Sequence, residues 1–225
     1  MNDIQSLQAK RGEILDRIAA AAQARTAGDD AVELVAVSKR QPEERIDAML
    51  AAGQRIFGEN RVQEAQEHWL QRRQDYPDLE LRLIGPLQSN KTADAVALFD
   101  VIESLDREKL ARAIKSEMER QNRSIRLYVQ VNTGEEAQKS GVLPSDLPGF
   151  LSFCREECGL EIEGLMCIPP VAEPAGLHFA LLARLARENG VVKLSMGMSG
   201  DFETAISLGA SSVRVGSLLF GARQA

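Results

Sequence analysis

The chain has 225 residues, of which 44% are hydrophobic and 27% are charged, the balance of an ordinary globular domain. Its formal net charge of −6 argues against a broad attraction to nucleic acid or to anionic membranes. The N-terminal segment is charged and amphipathic rather than signal-like, no apolar run reaches membrane-spanning length, and the three cysteines form no Cys-x-x-Cys pair. We therefore expect a cytoplasmic protein with no disulfide framework, no metal site and no nucleic-acid or membrane partner.

The hydrophobic pattern predicts one amphipathic helix followed by eight strands that alternate with helices. The first helix spans about residues 3–25, with Ile4, Leu7, Ile14 and Ile18 on one face. The predicted strands, in chain order, are ELVAVS (33–38), RIF (55–57), LRLIG (81–85), LFDVIES (98–104), IRLYVQVN (125–132), LEIEGLMCI (160–168), VVKLSM (191–196) and SSVRV (211–215).

Capping residues predict where several of the intervening helices begin. Pro42 opens the helix after the first strand, and Ser89 or Asn90 caps the helix after the third. Asp106 and Ser145 are predicted caps of the next two, and the second of these runs to about Gly159. The longest irregular loop, about 133–145, follows the fifth strand.

Strict alternation of strands and helices implies parallel β-α-β units with right-handed crossovers. Eight such units in about 200 residues fit a single small (β/α)8 TIM barrel. A doubly wound open sheet is the competing architecture, but no Gly-x-Gly-x-x-Gly follows the first strand. We expect one domain over residues 1–225, with an extra N-terminal helix, within 1–28, packed on the barrel.

Lys39 is the first candidate functional residue. In a barrel of this kind, functional side chains come from the C-terminal ends of the strands. Of the seven lysines, Lys39 alone follows directly on a fully apolar strand. Burial at that position would lower its pKa and free an amine for Schiff-base chemistry. The structural alternative is a lysine whose amine extends from the strand end into solvent.

Two glycine-bearing turns suit a phosphate. SMGMSGD (195–201) joins the seventh strand to a helix, and RVGS (214–217) joins the eighth strand to a helix; we call them together the phosphate cup. Barrels often bind phosphate at these two loops, where N–H groups at helix N-termini attract an anion. Ser199 and Ser217 add hydroxyl donors, and Gly216 lets the backbone approach a ligand closely. The alternative is two ordinary strand-to-helix turns.

Arg214 and the sequence GEN (58–60) are the remaining candidates. Arg214 lies within an otherwise apolar strand, at its C-terminal end, so it needs an acceptor, either a protein carboxylate or a ligand atom such as a cofactor ring nitrogen. Asn60 is placed to bind a ligand hydroxyl, and Glu59 to pair with an arginine; a turn and helix cap is the structural alternative. His68 and His178 lie on helices, His68 on a face expected to be exposed, so we expect no histidine chemistry and name no catalytic residue.

The chain resembles the pyridoxal phosphate homeostasis proteins, also known as the proline synthetase co-transcribed family. The resemblance covers nearly the whole chain after the first helix. The matching stretches are LVAVSKRQP (34–42), GQRIFGENRVQEA (53–65), LIGPLQSNK (83–91), VNTGEEAQKSGV (131–142), GLMCIPP (164–170), LSMGMSGDFETAI (194–206) and VRVGSLLFGAR (213–223).

The resemblance implies a barrel like the N-terminal domain of alanine racemase. It implies pyridoxal 5′-phosphate held as an internal aldimine on Lys39 and an arginine, Arg214, facing the pyridine nitrogen. It places the phosphate on Ser199, Gly216 and Ser217, and Asn60 near the ring. The family usually reads Ile-Gly-His-Leu-Gln, whereas here Pro86 replaces the histidine, so that histidine's role is not assumed.

The resemblance also implies a role in vitamin B6 and amino-acid homeostasis rather than in catalysis. An arginine facing the ring nitrogen keeps it unprotonated and weakens the ring as an electron sink. Few residues follow the eighth strand, so we expect no counterpart of the second β domain of the racemases. We expect a monomer, with PLP-dependent apoenzymes as candidate recipients. The alternatives are a racemase with an open site, a Schiff-base aldolase for a phosphorylated sugar, and an interaction protein that only senses the cofactor.

Overall fold

The computed structural model describes residues 3–25 and 31–221, and its centre is a closed barrel of eight parallel strands. Each strand pairs with the next in the chain, and the last pairs with the first. The predicted (β/α)8 barrel is therefore confirmed. The strands are β1 (Glu33–Val37), β2 (Ile56–Glu59), β3 (Glu80–Leu83), β4 (Val101–Leu105), β5 (Arg126–Gln130), β6 (Gly164–Met166), β7 (Lys193–Ser195) and β8 (Ser212–Val215).

Helices surround the barrel and connect its strands. Those among the described residues are α1 (Asp3–Ala24), α2 (Glu43–Ala51), α3 (Val62–Trp69), α4 (Arg72–Asp75), α5 (Thr92–Leu98), α6 (Glu108–Gln121), α7 (Leu147–Ser152), α8 (Ala175–Glu188), α9 (Phe202–Ser207) and α10 (Ser217–Phe220). No described helix is long and apolar enough to cross a membrane.

The strands are buried on both faces, as parallel strands in a barrel must be. One set of alternate residues packs against the helices in the main hydrophobic core and includes Phe57, Leu81 and Leu165. The other set faces the barrel interior. That interior is partly polar, because Arg82 and Glu103 are fully buried within it.

Helix α1 lies against α2 and α9. Its residues Leu7, Ile14 and Ile18 are buried as predicted, whereas Ile4 is 42% exposed, so the first turn extends past the apolar contact. Arg17 forms an ion pair with Glu203 of α9. The predicted boundary of the N-terminal segment, at residue 28, lies outside the described residues.

Several predicted caps are wrong. The backbone places Arg107 rather than Asp106 at the start of α6, and Asp146 rather than Ser145 at the start of α7, and neither makes a side-chain cap. Ser89 and Asn90 belong to a short 3₁₀ turn that precedes α5. The helix predicted to run to about residue 159 instead passes into a π-helical turn at Phe153.

Candidate functional site

A cavity of about 550 Å³ opens at the C-terminal ends of the strands, and we call it the barrel-mouth cavity. The structure brings together every side chain and glycine predicted from sequence as a binding residue. They are Lys39, Asn60, Ser199, Arg214, Gly216 and Ser217. Such a volume is ordinary for a small-molecule site.

Lys39 lies in the turn after β1, separated from the strand by Ser38, and is half-buried. Its two neighbours are tied to the β2 side of the barrel. The Ser38 hydroxyl donates to Glu59 at 2.7 Å, and the Arg40 N–H donates to the Glu64 carboxylate. Arg40 has a left-handed backbone with φ of 58°. These contacts hold the lysine at the cavity wall rather than on a loose loop end.

The two turns of the phosphate cup touch each other. The Gly216 N–H donates to the Ser199 hydroxyl at 3.4 Å, which joins the loop after β8 to the loop after β7. Gly197 has φ of 92°, and a Cβ there would lie 2.5 Å from Ala205 Cβ, so only glycine fits this turn. Among the described residues, no protein acceptor takes the backbone N–H of Gly200 or Ser217. Such donors are free to bind a ligand anion.

Arg214 is 3% exposed and lines the cavity from within the barrel. Its Nη1 donates to the Ser195 hydroxyl at 2.6 Å, and its Nη2 donates to the Cys167 carbonyl at 2.8 Å. The Glu103 carboxylate lies 4.0 Å from Nη1. The protein therefore supplies acceptors for part of the guanidinium, and other N–H donors of the group remain available to the cavity.

Glu59 does not pair with an arginine, so that prediction is wrong. The side chain is fully buried, and its Oε1 accepts from Ser38, from Trp69 Nε1 at 3.0 Å, and faces His68 Nδ1 at 3.1 Å. His68 is correspondingly not exposed, because its side chain is only 12% accessible. The hydrogen bond to Glu59 raises the pKa of His68, while burial opposes this.

A ligand atom from each of Glu59, Glu64 and His68 lies within 4.8 Å of the others, the kind of spacing at which a metal ion binds. Protein donors engage Oε1 of Glu59 and Oε1 of Glu64, and the imidazole faces the buried Glu59 carboxylate, whereas Glu59 Oε2 accepts from no described residue. We interpret the cluster as an ion pair that connects α3 to the loop that carries Lys39. His178, the other histidine, is a buried residue of α8 and contacts Glu173 at 3.2 Å, away from the cavity.

Several cavity residues were not predicted from the sequence. The long loop after β5 contributes Lys139 and Ser140, and β5 contributes Gln130. Asn132, which sequence position ranked low, also lines the cavity, and its amide makes reciprocal bonds with the backbone of Glu136. The available signal was the length of this loop and its position on the functional face of a barrel.

Gly85 is another cavity residue that the sequence did not single out. A Cβ at this position would lie 2.4 Å from the Asn60 carbonyl oxygen and 2.8 Å from Asn60 Cα. The ends of β2 and β3 therefore approach so closely that only glycine fits between them. Pro86, which follows, also lines the cavity.

Comparison with known proteins finds one matching family profile and several relatives that share one description. The profile of the alanine racemase N-terminal domain family matches residues 15–224. The pyridoxal phosphate homeostasis protein of Pseudomonas aeruginosa is 41% identical over 94% of this chain and 93% of its own length. The protein of the same description from Escherichia coli is 34% identical over 99% of this chain and 98% of its own.

Solved structures agree with these matches. PipY of Synechococcus elongatus, determined with PLP bound, is 38% identical, with a TM-score of 0.78 over 92% of this chain and 100% of that protein. Alanine racemase of Clostridium difficile is only 14% identical, with a TM-score of 0.71 over 58% of its chain. The second likeness is one of fold alone.

Proposed function

The chain belongs to the family of pyridoxal phosphate homeostasis proteins, and on that premise we propose that it binds pyridoxal 5′-phosphate in the barrel-mouth cavity. The observation that carries the proposal is the convergence of Lys39 and the phosphate cup on one cavity. An amine after β1 and glycine-bearing turns after β7 and β8 suit two groups of this cofactor, its aldehyde and its phosphate.

The residues present fit the cofactor. We propose that Ser199, Gly216 and Ser217 bind the phosphate, because they form the wall where the two turns meet. Arg214 would donate to the pyridine nitrogen, and Asn60 would contact the ring substituents. PLP bound to PipY, a relative that shares this fold, supports the same use of the cavity.

The bond to the protein is proposed at Lys39. The Nζ amine adds to the cofactor aldehyde, water leaves, and a carbon–nitrogen double bond forms, with no oxidant or reductant required. Lys139 is the second lysine of the cavity wall, and it forms an ion pair with Glu136 at 2.5 Å. Lys139 therefore serves as the control residue for Lys39 in a test of which amine bonds to the cofactor.

We propose that the protein holds PLP for cellular homeostasis rather than using it in catalysis. Curated relatives carry the homeostasis description, and an unprotonated ring nitrogen opposite Arg214 is a weak electron sink. Among the described residues of the cavity wall there is no aspartate, glutamate, histidine, tyrosine or cysteine, and the second lysine of the wall, Lys139, is ion-paired with Glu136. Cytoplasmic location, a monomeric state and delivery to PLP-dependent apoenzymes are parts of this proposal.

The test is an absorption spectrum of the purified protein with added PLP, followed by borohydride reduction and peptide mass analysis. We expect a Schiff-base band and one pyridoxyl phosphate group on the peptide that contains Lys39. Lys39→Ala should abolish both, whereas Lys139→Ala should retain them. An unchanged spectrum in Lys39→Ala would overturn the assignment, and α-proton exchange from single amino-acid enantiomers above the blank would favour a racemase.

A further inference from the structure

A buried polar chain crosses the barrel interior and ends at the barrel-mouth cavity. Its first member is Arg82 of β3, which is fully buried and faces three carboxylates. Its Nε donates to Glu80 at 2.6 Å, its Nη2 to Glu33 at 2.5 Å and its Nη1 to Glu103 at 3.4 Å. Burial works to lower the pKa of Arg82, but these carboxylates hold it above its ordinary value, so the residue is a cation.

Glu103 differs from the other two partners of Arg82. Glu33 and Glu80 are partly exposed, whereas Glu103 is fully buried. Its second oxygen accepts from the Ser195 hydroxyl at 2.6 Å. The same hydroxyl accepts from Arg214 Nη1 at 2.6 Å. One carboxylate thus contacts Arg82 with one oxygen and reaches Arg214 through Ser195 with the other.

The direction of the Ser195 hydroxyl follows from this geometry. Arg214 can only donate, so the serine oxygen must accept from it. The serine proton then points to Glu103, which can only accept when ionised. A carboxylate satisfies both of its neighbours, Arg82 and Ser195, because it accepts on both oxygens. An amide in its place can accept on one side only and must present N–H donors to the other.

We propose that Glu103 is a positioning residue that, through the Ser195 hydroxyl, holds Arg214 as a cation aimed at the ring-nitrogen end of the cofactor. This inference rests on the proposed function. Glu103 is the carboxylate that lies 4.0 Å from the Arg214 guanidinium. A buried guanidinium without such a partner is costly and would take another position or another acceptor.

The test compares Glu103→Gln with Glu80→Gln. Both variants remove one carboxylate from Arg82, but only the first also breaks the connection to Arg214. We expect Glu103→Gln to weaken PLP binding about tenfold or more, whereas Glu80→Gln binds within about twofold of the unmodified protein. The unfolding midpoint of both apoproteins shows how far stability alone accounts for the difference.

A cofactor analogue supplies the readout that a structural role would not change. In 1-deaza-PLP a C–H replaces the ring nitrogen, while the aldehyde and the phosphate are retained. If Glu103 acts through Arg214 on the ring nitrogen, the affinity ratio between the unmodified protein and Glu103→Gln should fall to near one with this analogue. An equal ratio for PLP and for the analogue would overturn the proposal.

Other outcomes are equally decisive. If the unmodified protein does not bind PLP, the proposed function fails, and this inference with it. If it binds PLP and the two glutamine variants bind alike, only the role of Glu103 is refuted. Should Glu103→Gln fail to fold, Ser195→Ala retains the Arg82 contacts and removes the bridging hydroxyl. Ser195→Ala should lose more affinity for PLP than for the deaza analogue. An equal loss of affinity for the two compounds would overturn the inference.

Discussion

Replacement of Glu59 by glutamine should destabilise the protein in a pH-dependent way. The Glu59 carboxylate is fully buried, and one oxygen serves Ser38, Trp69 and His68. Hydrogen bonds to a charged group contribute roughly 1.5–3 kcal/mol each, and neutral ones roughly 0.5–1.5 kcal/mol. Loss of the charge therefore costs about 1 kcal/mol for each of the three contacts, or about 3 kcal/mol while the imidazole is protonated.

The sign of the pH dependence follows from His68. Its hydrogen bond with Glu59 raises the pKa of the imidazole in the folded state, with burial opposing the shift. The stabilisation by this ion pair is fully present below the unfolded pKa of about 6.5 and is lost as pH rises through the higher folded value. The deficit of Glu59→Gln should thus be about 3 kcal/mol at about pH 5.5 and nearer 2 kcal/mol at about pH 9.

Urea denaturation at the two pH values measures this difference. Trp69 is the single tryptophan of the chain and donates to Glu59, so its emission reports on the site, and circular dichroism reports on the whole fold. Glu67→Gln, on the exposed side of the same helix, is the matched control and should stay within about 0.5 kcal/mol of the unmodified protein. A Glu59→Gln deficit no larger than that of the control, or one that grows with pH, would refute the reasoning.

Two further predictions concern packing and the thiols. Gly85→Ala should cost about 1–3 kcal/mol and weaken PLP binding, because its Cβ would lie 2.4 Å from the Asn60 carbonyl oxygen. Gly12→Ala, whose Cβ meets nothing within 4 Å, is the control in thermal unfolding and PLP titration, and equal behaviour of the two variants would contradict the prediction. The three cysteines are buried, and burial raises the pKa of each thiol, to about 12 for Cys167. A thiol reagent at about pH 8 should therefore label none of them in the native protein and all three after unfolding. Rapid labelling of the native protein would show that a thiol is accessible.

The sequence was sufficient to predict the barrel and the main residues of the candidate site. Alternation of apolar strands with helices is a local pattern, and parallel strands connected by helices have few stable arrangements. Lys39, Arg214 and the phosphate cup follow from the rule that strand ends meet at one face of a barrel. The structure places all of them around one cavity. Their contacts with a cofactor are still predictions.

The sequence was less informative about where helices begin and about the hydrogen-bond partners of individual side chains. Asp106 has the residue type of a cap, yet its carboxylate accepts from the adjacent Arg107 side chain, a contact that competes with capping. His68 lies on a helix rich in polar residues, yet the helix turns that side chain toward a buried carboxylate. Residue type indicates which bonds a side chain can make, and the surroundings decide which bond forms.

Only the tertiary structure decided which polar groups share the barrel interior. Glu103 and Ser195 are 92 residues apart in the chain, and their contact depends on how β4 and β7 face each other across the closed barrel. Neither residue has a local signal that distinguishes it from an ordinary strand residue. Strand periodicity determines which side chains point inward, but barrel closure sets the distances among them, and those distances decide that Arg214 is supported by Glu103.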